Sequence, residues 1–220
     1  MKKIFMAVFL ANFLFAGVGY KVTNFDISGI KLGMTQNEVL EVIKKRYKAR
    51  DTSSFKWGEK QIEPYYSIQE YKRSKFDKGT KVHVTLKQAT IKIVLGISNP
   101  SQKEYYVEDI VYSSVQNKTN EKKFYNAAME KYGKPSSIDH SLHDKYIWCE
   151  KPYPSSKKTY SGYKCSEKAN KNNEFSMLEV FNQPYLELNR TFLKLYNPIP
   201  YHERELKEKE AKNLKQKPTF

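Results

Sequence analysis

Gly29-Ile30-Lys31-Leu32-Gly33-Met34-Thr35-Gln36-Asn37-Glu38, continued by Val39, Leu40, Val42, Ile43 and Tyr47, is the stretch that decides the fold. Thr35 is suited to cap a helix. Glu38, three residues on, completes a capping box in which each side chain accepts from a backbone N–H orphaned at the helix start. Met34 and Val39 stand at the two positions of a hydrophobic staple. Apolar positions 39, 42, 43 and 47 recur at helical spacing, which predicts an amphipathic helix over 35–48.

Outward from that helix the pattern changes. Residues 55–71 mix polar side chains with Phe55, Trp57, Tyr65, Tyr66, Ile68 and Tyr71, leaving room for one or two short strands. From Val82 the period is two, through Val84, Leu86, Ile91, Ile93 and Leu95, which is strand chemistry. Asn99-Pro100-Ser101 marks a turn, and Tyr105 to Val115 alternates again. A second helix is then predicted. Thr119 or Asn120 caps it, Phe124, Ala127, Ala128, Met129 and Tyr132 face inward, and Gly133 with Pro135 stops it. Strand-like segments follow at 146–149, 175–181, 185–188 and 191–195. Helix followed by strands thus occurs twice, as an order of elements rather than of residue identities. The expectation is an α+β chain of two tandem helix-plus-antiparallel-sheet units, 20–116 and 117–197, with the helices packed on one face of the sheet.

Both ends read differently from this middle. Lys2 and Lys3 precede an uncharged apolar stretch from Ile4 to Gly19, which predicts a signal peptide over 1–19 and a soluble, periplasmic or secreted bacterial protein after cleavage. The stretch is short for a membrane span of about 20 apolar residues. Residues 198–220 form a charge-dense tail whose Glu203/Lys207 and Glu205/Lys209 pairs suit a solvated helix. The formal net charge is +15, carried by 39 Lys+Arg against 24 Asp+Glu. Five of these cations are Arg (Arg46, Arg50, Arg73, Arg190 and Arg204), so most of the charge sits on lysines that attract anions without fixed geometry.

Few residues advertise chemistry. Cys149 and Cys165 are the two cysteines; in an exported chain they are expected to pair, at a gain of about 3 kcal/mol on the chain-entropy account. His140 and His143, between Asp139 and Asp144, are the one cluster that suggests acid–base or metal chemistry, but no third ligand is evident. His83 and His202 read as structural or exposed. No nucleophile elbow, phosphate-binding loop, dinucleotide fingerprint or HExxH is present. No catalytic residue, metal or cofactor is therefore assigned. Asn117-Lys118-Thr119 and Asn189-Arg190-Thr191 are glycosylation patterns, read as chance occurrences.

The run Asp26-Ile27-Ser28-Gly29-Ile30-Lys31-Leu32-Gly33-Met34-Thr35, with Glu38-Val39, resembles the helix start of the SmpA/OmlA (BamE-like) family of outer-membrane assembly lipoproteins, a fold related in shape to the β-lactamase-inhibitor-protein-like group. Lys131-Tyr132-Gly133-Lys134-Pro135 is similar to the end of such a helix. The resemblance implies a small exported module that binds protein surfaces through its sheet and loops. It implies a non-lipidated member, because no cysteine stands near the end of the apolar leader. The leading expectation is a non-catalytic protein-binding module, an envelope adaptor or inhibitor, whose partner is an envelope or secreted protein and not a specific nucleic acid. Trp57, Tyr65, Tyr66, Tyr160 and Tyr163 are its candidate anchors. A second reading is a lysine-rich binder of an anionic envelope surface or polymer. A third is a small basic hydrolase or nuclease using His140 or His143.

Overall fold

The computed structural model of the protein describes residues 20–72, 78–96, 104–116, 118–139, 144–149, 153–154, 163–164, 176–185 and 188–197. The predicted signal peptide and the charged tail lie outside them.

A tight hairpin opens the described chain: β1 (Asp26–Ile27) pairs with β2 (Ile30–Lys31) across Ser28 and Gly29. Both turn residues have positive φ, 59° and 86°, as a primed hairpin turn requires. Asp26 Oδ1 accepts from the Gly29 N–H at 2.7 Å. Helix α1 (Gln36–Tyr47) then starts at Thr35. The Glu38 N–H donates to Thr35 Oγ1 at 3.3 Å and the Thr35 N–H to Glu38 Oε2 at 2.7 Å, a complete capping box. Val39 and Ile43 are its buried residues, and Lys48 in the left-handed region ends it.

The strands that follow are β3 (Arg50–Asp51), β4 (Tyr65–Lys72), β5 (Lys78–Thr85), β6 (Ala89–Gly96) and β7 (Tyr106–Gln116). After α2 (Lys118–Tyr132) come β8 (Ser137–Asp139), β9 (Lys145–Cys149), β10 (Tyr153–Pro154), β11 (Tyr163–Lys164), β12 (Met177–Tyr185) and β13 (Leu188–Tyr196). β10 and β11 pair with each other. The nine others form one sheet in the order β3-β4-β5-β6-β7-β13-β12-β9-β8, antiparallel except for the short β3–β4 pair.

This sheet overturns the expected two tandem helix-plus-antiparallel-sheet units with helices packed on one face of the sheet. The chain is mostly sheet, with two α-helices among the described residues. The physical reason lies in β7, which is hydrogen-bonded along both edges, to β6 and to β13. Its residues have partners on both sides of position 116, so no sheet edge separates the expected halves. Side-chain rows run straight through: Val82, Ile93, Ile110, Leu195, Leu178 and Trp148 stand in register from β5 to β9, all fully buried. The parallel row of Tyr66, Val84, Ile91, Tyr112, Leu193, Val180 and Tyr146 is likewise in register, from β4 to β9, with Tyr112 and Tyr146 partly buried. Val39 and Ile43 of α1 join one apolar cluster with Tyr125, Ala128 and Tyr132 of α2 and with these rows.

The N-terminal hairpin adds a second tie. Tyr132 Oη donates to the Asp26 carbonyl at 2.6 Å, and Lys131 Nζ reaches Asp26 Oδ1 at 2.9 Å. Around that clamp Phe25 packs on Tyr132 (5.0 Å between ring centroids), and Tyr132 packs edge-on to Trp148 (6.1 Å). Trp148 Nε1 donates to the Gly133 carbonyl at 3.0 Å. Sequence positions 25 and 148 thus share one aromatic cluster.

Candidate functional site

Of the aromatic residues singled out in the sequence, the structure separates rather than gathers. Trp57 is wholly exposed, at 103% of its reference area, whereas Tyr66 is 3% exposed and lies in the core. Tyr65 is half-buried, with its ring edge-on to Phe55 at 6.2 Å. Tyr163 lies in β11, where the backbone alone is described, and Tyr160 lies outside the described residues. So do His140, His143, His202, Asn117 and Cys165. Cys149 is disulfide-bonded. Asn189 stands in β13 opposite Gln116 and Pro184. His83 lies between the buried Val82 and Val84 of β5, on the other face of that strand; burial, then Lys92 and Lys81, hold its imidazole below the usual histidine range. Among the described residues no group of three or more His, Cys, Asp or Glu is placed to hold a metal, and no helix is long and apolar enough to cross a membrane.

Trp57 belongs to a built loop. Asp51 Oδ1 accepts from the Ser53 N–H at 2.9 Å, and Glu59 Oε2 accepts from the Lys56 N–H at 3.0 Å. Arg50 pairs with Glu59 at 3.3 Å and lies over the Phe55 ring at 4.6 Å. The exposed ion pair adds little energy, about 0–1 kcal/mol, but with the turn bonds it fixes the loop's path. The indole is therefore displayed on a closed scaffold. Ile62, further along the loop, and Ile68 on β4 are exposed as well. Beside them, β3 covers β4 only at Tyr65 and Tyr66, so among the described residues positions 67–70 of β4 form an open strand edge. Such an edge offers unpaired N–H and C=O groups to another chain.

A second feature could not be read from local sequence. Between the C-terminal end of α1 and the face of α2 lies an open groove of about 340 Å³. Its floor includes Tyr112 of β7 and Leu193 of β13, neighbours across the ladder. Its walls include Tyr47, Leu86 and Phe124, with Tyr112 stacked on Phe124 at 6.2 Å and 17°. Arg46 and Lys131 stand at its rim. Burial raises the Tyr112 phenol, partly opposed by a hydrogen bond with Ser114, and Tyr47 adds to the rise. The helical spacing of apolar residues marks Tyr47 and Phe124 as inward-facing. That they face each other over a floor of two strands far apart in sequence carries no local signal.

On the opposite sheet face, a bulge sets Glu108 out of register between β6 and β7. Beside it Asp109 has a buried oxygen with no hydrogen-bond partner. Burial pushes the Asp109 carboxyl up; Lys194 and Lys92 oppose this, and Glu108 and Glu179 reinforce it. Glu179 itself accepts from Lys145 Nζ and from Tyr196 Oη, both at 3.3 Å.

The chain matches no family model, no curated protein and no solved structure.

Proposed function

We propose that the protein is a non-catalytic, exported protein-binding module, an adaptor or inhibitor that engages an envelope or secreted partner through the Trp57 loop and the neighbouring β4 edge. The observation that carries this reading is a fully exposed tryptophan held on a hydrogen-bonded loop. Large aromatics left in water at fixed positions cost hydration free energy, and Trp heads the residues that dominate protein interfaces. The open β4 edge supplies the second half of a recognition mode in which a partner's extended segment adds a strand while a nearby apolar anchor sets specificity. Resemblance of the 26–39 run to the BamE-like helix start supports binding through sheet and loops.

Co-purification of the tagged protein from its native envelope fraction tests the assignment. Trp57→Ala or Ile68→Lys is expected to lose the partner recovered with the wild type, at a cost of about 2 kcal/mol, roughly 30-fold in Kd. Val115→Lys, which changes an exposed apolar residue on another strand, serves as the control and keeps it. Equal recovery with all three variants overturns the reading.

A further inference from the structure

The groove between the helices is separate from the β4 edge and can be argued independently of it. We infer that it binds a single-chain amphiphile with an anionic head, of the fatty-acid class.

Three observations lead there. The volume, about 340 Å³, falls at the lower end of small-molecule pockets, which run from about 300 to 1,000 Å³, and suits one chain better than two. The lining is mainly apolar or aromatic, with the Tyr112–Phe124 stack forming a flat wall over Leu193. Of the lining hydroxyls, that of Tyr132 is committed to the Asp26 carbonyl and that of Tyr112 hydrogen-bonds with Ser114, which leaves those of Tyr47 and Ser28, few of the converging polar groups that a sugar or nucleotide needs.

The two rim cations differ. Lys131 is engaged by the Asp26 carboxylate and carbonyl. Arg46 has no carboxylate or hydrogen-bond partner among the described residues; its neighbour is the Tyr47 ring, 6.0 Å from the guanidinium carbon. One unneutralised guanidinium at the mouth of an apolar groove complements one anionic head, and its planar fork suits carboxylate or phosphate. A strand from a partner is a poor occupant, because the groove lies over a sheet face and offers no open ladder.

Calorimetric titration of the full chain with laurate, below its aggregation concentration, tests this, with 1-dodecanol and dodecyltrimethylammonium as matched tails. Laurate is expected to bind one-to-one. Arg46→Gln is expected to weaken laurate about tenfold and leave 1-dodecanol unchanged, since it removes one charge-assisted contact. Arg46 is exposed, so this variant reads the head without disturbing the core. Ala127→Trp, from an exposed α2 position lining the groove, is expected to abolish both while keeping the wild-type melting temperature. Dodecyl phosphate binding as laurate does would widen the head to either anion within the same class. The proposal is overturned by no saturable laurate binding, by equal binding of the cationic amphiphile, or by laurate affinity unchanged in both variants. A change of oligomeric state in Ala127→Trp with laurate binding intact would assign the groove to a second copy of the chain, and would overturn it too.

Discussion

Two aspartates illustrate how position, not residue type, sets the sign of an electrostatic effect. Asp26 is pushed up by burial, but hydrogen bonds from Lys131 and the Gly29 N–H, with the charges of Lys131 and Lys31, outweigh this and leave its carboxyl below the ordinary range. Its stabilisation is present above the unfolded-state pKa of about 3.9 and is lost as pH falls through the lower folded value. Asp109 is the reverse. Its folded pKa is raised, so the stability it allows is complete below about pH 3.9 and is lost as pH rises through the folded value. Urea midpoints should therefore move in opposite directions at pH 7, down for Asp26→Asn and up for Asp109→Asn. Both differences should shrink in strong acid. A lower midpoint for Asp109→Asn at pH 7 would mean that Lys194 and Lys92 outweigh its burial. Neither sign was legible in the sequence: Asp26 and Lys131 are 105 positions apart, and Asp109 is one of several acids on strands.

At the scale of elements, the start of α1 is local and legible, whereas α2 begins at Lys118, ahead of the Thr119 or Asn120 cap expected for it. Thr35 and Glu38 satisfy each other's backbone N–H groups whatever the rest of the chain does, so the start of α1 follows from four residues. Thr35→Ala should cost about 1 kcal/mol, read as a lower melting temperature with an unchanged far-ultraviolet spectrum. The alternation at 82–95 and 105–115 likewise marks strands, because side chains of period two must have a buried and a solvated face. The 55–71 region was less legible. Its one long strand, β4, is an edge, where one side lacks a partner and alternation weakens: Ile68, in register with the fully buried Val82, is itself exposed. The same edge position explains why Tyr66 and Trp57, similar as sequence signals, part company. Tyr66 faces Val84 across the ladder, and Trp57 lies on a loop that turns away from it.

At the scale of the whole molecule, β7 is the strand on which both flanks of the sheet depend. A fragment ending at residue 116 would leave its β13 edge bare and strip Ile110 of Leu195, while Asp26 would lose Lys131 and Tyr132. We expect residues 20–116 alone to give a collapsed or aggregated chain without dispersed amide resonances, and the intact protein to unfold in urea as one transition. Two separable transitions, or a well-dispersed spectrum from the fragment, would show that the flanks are independent domains. The expected pair of tandem helix-plus-sheet units gives way to one nine-stranded sheet for a definable reason. Local pattern reports which residues are strands but not which edges meet, and the joining of β7 to β13 brings together segments about eighty residues apart.

The sequence by itself determined where α1 begins and which positions of β5 and β6 turn inward, because capping and periodicity are satisfied within a few neighbouring residues. Only the tertiary structure decided that the strands make one sheet, that Trp57 is displayed while Tyr66 is not, and that Arg46 overlooks an aromatic groove. Those outcomes rest on contacts between distant segments, whose energies depend on which surfaces meet and therefore leave no mark on any single stretch of chain.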